Sequence, residues 1–265
     1  MTGDREAEPL RLAGRWDEAL ALLEDELAGE LDSRFRGRVL VDLARTLNDR
    51  STFGGKPDEP RTEAVLRELE QLARDTEDDA LLAAALDLRG RALHGRFLAD
   101  RSGGEPEDEL SLFERGLELR RPDDARGRAE SLFHVGLVHQ VVRDDGARSE
   151  PFFEESYRLA GEARDDVMRS YAIRHLGWTR QARGDVEGAR AAFEESLHLR
   201  ERAGFLPGVG AAALALAEFE AEQGRPDRAR EHLAKAREVF ALVGMDRFFG
   251  FADEVERALR GRGEA

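Results

Sequence analysis

The sequence predicts an all-α protein: a right-handed α-solenoid of about six helix–turn–helix repeats, closed by a C-terminal capping helix. Three observations carry this reading. Four segments, Glu109–Gly116, Ser149–Ser156, Ala189–Ser196 and Ala229–Ala236, align without a gap at a spacing of 40 residues. A large apolar residue paired with a small one alternates with them, at Leu43-Ala44, Val135-Gly136, Leu176-Gly177 and Leu216-Ala217. No stretch sustains the two-residue alternation of a half-buried strand.

Each unit follows in order. Residues 1–31 form an incomplete first repeat. Gly14-Arg15-Trp16-Asp17-Glu18-Ala19 opens its second helix and Leu23 takes the large position, but Pro9 sits where a full first helix would run. In residues 32–76, Leu40, Leu43, Ala44 and Leu47 recur at helical spacing. The second helix there is blurred, with Ala64 or Val65 as the small residue and Leu69 as the large one. Residues 77–121 open on Asp78-Asp79, take Gly90 as the small residue of the first helix, and place Phe113-Glu114-Arg115-Gly116 in the second.

The next three units are sharper: 122–164 with Val135-Gly136 and Phe153-Glu154-Glu155-Ser156, 165–204 with Leu176-Gly177 and Phe193-Glu194-Glu195-Ser196, and 205–244 with Leu216-Ala217 and Leu233-Ala234-Lys235-Ala236. Residues 245–260 read as the cap, with Phe248, Phe249 and Phe251 covering the last repeat. The small residues of the second helices stand at 19, 64, 109, 149, 189 and 229, so the first two intervals are 45 and the last three 40. The extra residues are expected in two long loops, Asp49–Pro60 and Ala99–Pro106, both rich in Gly, Pro and charge. Aspartates at Asp78-Asp79, Asp123-Asp124 and Asp165-Asp166 suit helix N-caps.

In physical terms, the small residue of one helix lets the next approach and the Phe or Leu fills the gap. No pair buries its apolar face alone, so neighbours must stack. The pattern of Leu176-Gly177, Gly184-Asp185, Ala189, Phe193 and Ser196, with its counterparts, resembles the tetratricopeptide repeat family. The 40-residue spacing is similar to the repeat arrays of large bacterial ATP-dependent transcriptional regulators, without their nucleotide-binding or DNA-binding modules. The resemblance implies a concave groove, lined by the first helices, that holds a protein or peptide. The family's Lys-and-Asn clamp for C-terminal carboxylates is absent from the groove positions.

Composition narrows the function. Among 265 residues there is no cysteine, and 56 acidic residues outweigh 41 basic ones for a formal charge of -15. This excludes disulfides and thiolate chemistry and disfavours nucleic acid or an anionic membrane as partner. No signal peptide or spanning segment is read, so a cytoplasmic location is expected. Gly54-Gly55-Lys56 lacks the rest of a phosphate loop, having Arg50 and Pro57 where glycine and Ser or Thr belong. His134 and His139 stand about 140° apart on a helix and cannot chelate from one face. His134 and His175 occupy equivalent positions and read as packing residues. The pairs Glu154-Glu155 and Glu194-Glu195 diverge by about 100° and read as solvated faces.

The groove is the remaining candidate. Counting three before, one after and four after each small residue selects Arg174, Trp178 and Gln181, with Tyr171 one turn earlier. The same count selects Phe133, Leu137 and Gln140 in the preceding unit, Glu218 with Leu214 and Ala221 in the last, Val41, Arg45 and Asn48 in the second, and Arg91 and His94 with Asp87 in the third. Large amphipathic side chains such as Trp178 beside Arg174 anchor interfaces. The expectation is a non-enzymatic protein- or peptide-binding module with no cofactor and no metal. A ligand sensor using His94, His134 and His175 as polar groups is the second reading, and a homodimer formed through the incomplete first repeat or the Phe-rich C-terminus the third.

Overall fold

Thirteen α-helices and no strand make up the described residues, 4–99 and 106–263, of the computed structural model. In chain order they are α1 (Asp4–Leu12), α2 (Trp16–Leu27), α3 (Ser33–Gly54), α4 (Glu59–Asp75), α5 (Asp79–Ala99), α6 (Pro106–Leu119), α7 (Ala125–Leu137), α8 (Gly146–Glu162), α9 (Asp166–Ala182), α10 (Val186–Arg202), α11 (Leu206–Glu222), α12 (Pro226–Val243) and α13 (Asp246–Gly263). One π-helical turn, Val138–Val142, extends α7. Helices pack in consecutive pairs, and each pair packs on the next.

Aspartate sets where most of these helices begin. Asp32, Asp58, Asp78, Asp124, Asp145, Asp165 and Asp185 each accept a hydrogen bond from the backbone N–H three residues on, over 2.7 to 3.3 Å. Left-handed residues precede four of these caps. Gly184 has φ of 79°, and Asp144, which the repeat aligns with it, adopts 52° without being glycine.

The small–large interlock is literal. A methyl group on Gly90 would lie 2.4 Å from a ring carbon of Phe113, one on Gly136 2.8 Å from Phe153, and one on Gly177 2.9 Å from Phe193. These distances are below any real carbon contact, so only glycine admits the fully buried rings. Gly210 of α11 receives Phe240 in the same way at 2.9 Å.

Two expectations are corrected, the extent of the loop over Asp49–Pro60 and the covering role of Phe251. The first repeat has a short first helix, nine residues against 17 in α9 and α11, running through Pro9. The proline, sixth of the nine residues, removes one hydrogen bond from its middle, while buried Ala7 and an ion pair from Arg11 to Asp49 at 2.7 Å hold it in place. The loop expected over Asp49–Pro60 is helical as far as Gly54. Phe53 is buried and Asp49 is pinned, so α3 continues until Gly55 ends it at φ 64°. The loop expected over Ala99–Pro106 falls on residues 100–105, outside the described residues. The cap α13 packs Phe248 and Phe249 on Phe240, at ring separations of 5.4 and 5.8 Å, while Phe251 stays exposed.

The largest departure is that the solenoid closes on itself. Trp16 and Phe53, from the front of the chain, belong to the same hydrophobic core as α10–α13. Phe53 meets Phe205 edge-on at 5.6 Å and stacks with Phe248 at 6.3 Å. A methyl on Gly14 would lie 2.8 Å from Val243 Cβ, and one on Gly55 3.2 Å from Arg247. The front and back of the superhelix are therefore in van der Waals contact and form a ring. Helix α11, between α10, α12 and α13, is buried except at Leu206, Ala211, Glu218 and Glu222, and its Pro207 lies at the seam beside Gly14. A helix apolar all round must be covered all round.

Candidate functional site

Inside the ring lies a cavity of about 660 Å³. Its walls are the inward stripes of the odd-numbered helices, built at three- and four-residue spacing so that the side chains share a face. Helix α3 gives Arg45, Asp49, Thr52 and Phe53; α5 gives Arg91, His94 and Leu98; α7 gives Arg126, Glu130, Phe133, His134 and Leu137; α9 gives Tyr171, Arg174, His175 and Trp178. Helix α1 adds Glu8, Arg11 and Leu12. Phe205, Ala211 and Phe248 complete the wall where the ring shuts.

Of the sixteen groove positions counted from sequence, Arg91, His94, Phe133, Leu137, Tyr171, Arg174 and Trp178 line this cavity. Gln140, Gln181 and Glu218 do not. Gln140 turns away because the π-helical turn inserts an extra residue per turn, shifting the register so that Val141 faces inward. Gln140 instead ties the turn to α9, donating to the His175 carbonyl and Thr179 Oγ1, both at 3.1 Å, with its Oε1 2.6 Å from His175 Nδ1. Gln181 donates to Glu222 at 2.6 Å on an exposed edge, and Glu218 is exposed.

Of the remaining positions, Arg45 lines the cavity. Asn48 donates to the Leu88 carbonyl at 3.1 Å, and Asp87 faces the helix interior, accepting from Arg120 at 3.0 Å and Ser131 at 2.7 Å. Val41, Leu214 and Ala221 lie outside the lining, Leu214 and Ala221 being buried. Phe53, Phe205 and Phe248 escape groove counting because they meet where the ring closes, and α1 escapes it because no full first helix is expected in the first repeat. The all-round apolar sequence of α11 is the signal that points to closure.

The wall is charged but mostly neutralised. Arg11 and Arg91 share Asp49 at 2.7 and 3.0 Å; Arg45 pairs with Glu130 at 2.6 Å; Arg126 pairs with Asp165 at 2.9 Å. Burial works against the Glu130 carboxylate, but Arg45, helped by His134, Arg120 and Arg91, holds it ionised with a pKa of about 2. His94 sits 2.9 Å from Glu109.

His134 and His175 are packed as the sequence reading has it. His134 stacks on Phe113 at 4.7 Å, and His175 lies 5.0 Å from Phe153 and 4.7 Å edge-on to Trp178. Burial, with Arg91 nearby, lowers His134 to about 3, and burial with Arg174 and Arg200 nearby takes His175 well below the ordinary value. Both are neutral at pH 7. Among the described residues no three His, Asp or Glu side chains gather into a metal-binding group, and no helix is long and apolar enough to cross a membrane.

Arg174 differs from its neighbours. It stands over Trp178 at 4.9 Å and Tyr171 at 5.8 Å, is paired with no carboxylate of the described residues, and has a buried, unpartnered Nε. Among the described residues the cavity thus combines an aromatic lining, neutral imidazoles and two arginines outside any ion pair, Arg174 set against the rings and Arg164 exposed at the wall.

No family model and no curated protein sequence matches the chain. Among solved structures its fold is similar to that of a Rap protein complexed with Competence and Sporulation Factor, at a TM-score of 0.55 and 13% identity over 98% of this chain and 86% of that one. It is also similar to BtubC from P. vanneervenii, at 0.54 and 14% identity over 88% and 91%. A third likeness is to aspartyl phosphate phosphatase F from Bacillus subtilis, at 0.59 and 12% identity over 91% of this chain and 62% of that one. At these identities the likeness is one of fold.

Proposed function

We propose that the protein is a non-enzymatic binding module whose cavity holds a short peptide or a smaller ligand. The observation that supports this most is the cavity itself. Its volume of about 660 Å³ lies within the range of ligand pockets, and its wall sets aromatic and aliphatic side chains among arginine–carboxylate pairs. The peptide partner anticipated for an open groove becomes, in a closed ring, one compact enough to sit inside. The Rap protein of similar fold, solved with Competence and Sporulation Factor, is in keeping with a ligand-holding role.

The test is thermal-shift screening of short peptides and small metabolites, repeated on Ala211→Trp, which fills the cavity from α11. A ligand at 100 times its Kd stabilises by about 2.7 kcal/mol, enough to read as a shift in Tm. Hits are expected to lose at least about tenfold in affinity to the variant, or about 1.4 kcal/mol. Hits that bind the variant equally well would place recognition on the outer surface and overturn the cavity reading.

A further inference from the structure

Two arginines beside Tyr171 have no acid. Arg174, on the cavity wall, leaves its Nε buried and unpartnered. Arg200 of α10, fully buried behind it, lies over the Tyr171 ring at 4.9 Å. It donates through Nε to Ser170 Oγ at 3.1 Å and through Nη1 to the Gly208 carbonyl at 2.7 Å, and its Nη2 has no partner. The only carboxylate whose field reaches Arg174 appreciably is that of Glu218, which is exposed and does not pair with it. The arginines of α1, α3, α5 and α7 on the same wall are all in ion pairs.

A half-buried guanidinium with an unpartnered Nε and no anion is under-satisfied, and an incoming carboxylate completes it with charge-assisted hydrogen bonds. Arg174 is the one unpaired guanidinium of the wall set among aromatic rings, and there it matches one negative charge; Arg164, also outside any ion pair, is exposed. A phosphate dianion would need more beside those rings, where Arg11, Arg45, Arg91 and Arg126 are already committed. The flanking rings demand that the ligand be apolar next to its charge.

We propose that Arg174, with Tyr171 and Trp178 beside it, anchors the carboxylate of an otherwise apolar ligand, whose apolar part lies along Phe133, Leu137 and Phe205. This rests on the cavity being the ligand site. Two sources share the chemistry: the C-terminus of a short apolar peptide and a small aromatic or aliphatic acid.

The experiment compares four probes by thermal shift: a pool of apolar pentapeptides with free C-termini, the same pool amidated, indole-3-propionate, and its amide. Each is run on the full-length wild type and on Arg174→Met, which keeps the length and removes the charge. The wild type is expected to prefer at least one acid over its amide by about 10- to 100-fold, the worth of a hydrogen bond to a charged group. Arg174→Met is expected to erase that preference. A preferred peptide acid identifies a peptide ligand, and a preferred indole acid a small-molecule one.

A ligand-free measurement separates this role from a structural one. Relieving an unpaired cation should raise the Tm of Arg174→Met by about 2–4 °C, whereas a drop would mark Arg174 as a packing residue and overturn the proposal. Acid and amide binding equally overturns the anchor and leaves the cavity reading standing. Failure of all four probes to shift the wild type counts against the cavity reading, and the anchor falls with it.

Discussion

The front and back of the ring are held by different chemistry. From α9 to α12 the helices are nearly uniform at 17 or 18 residues, and their core is built on Phe193, Phe205, Phe219 and Phe240. From α2 to α5 helix length varies from 12 to 22 residues, and the core is leucine and valine, among them Leu23, Leu40, Leu43, Leu66 and Leu69. A phenyl ring seated on a glycine fixes the crossing of two helices, so the same spacing must recur. Leucines pack in many ways. Position in the front part is set instead by directional pairs such as Arg11–Asp49–Arg91, Arg45–Glu130 and Asp87–Arg120. Helices held this way are free to differ in length, which is how the front part reaches across to close the ring.

The sharpest way to break the regular half is Phe193→Ala. It empties the socket above Gly177 and is expected to cost about 3–5 kcal/mol, read as the midpoint of a urea melt. A loss below about 1 kcal/mol would mean that the interlock does not set the packing.

Phe53→Ala attacks the seam between the halves. It removes the contacts with Phe205 and Phe248 and should cost about 3 kcal/mol. Hydrogen exchange should then rise in α1–α3 while α9–α12 remain protected. Equal loss of protection in both regions would mean that the two halves unfold as one unit.

The third effect is smaller and concerns pH. Because the folded pKa of His175 is depressed, the unfolded chain takes up a proton below about pH 6.5 while the folded chain does not. Its contribution to stability is present above that pH and is lost as pH falls, with a slope approaching about 1.4 kcal/mol per pH unit; His134 behaves alike down to about pH 3. Melts of His175→Gln between pH 7 and 5 should show a shallower slope than the wild type. An unchanged slope would mean that His175 is protonated in place.

Most of the regular half was legible because its geometry is written in residue type at fixed distance. Gly177 and Phe193 announce each other, and Asp165 marks a helix start. The cavity was legible where that register held, as at Tyr171, Arg174 and Trp178. It was lost at Gln140, where an inserted π-helical residue leaves no signature in local composition. Closure was harder to read because it depends on Gly14 and Phe53 meeting residues about 150 to 230 positions away, and no periodicity encodes such a contact. The largely apolar sequence of α11 was its one trace.

That seam also orders events during synthesis. Repeats can stack as they leave the ribosome, each on the one before. The wall containing Phe205, Ala211 and Phe248 arrives last, so Gly14 waits for Val243 with its side of the cavity open to solvent. A nascent chain shortened by its final three helices would hold helical repeats yet enclose nothing. The cavity is therefore completed in a single late step, when the newest helices reach back to the oldest.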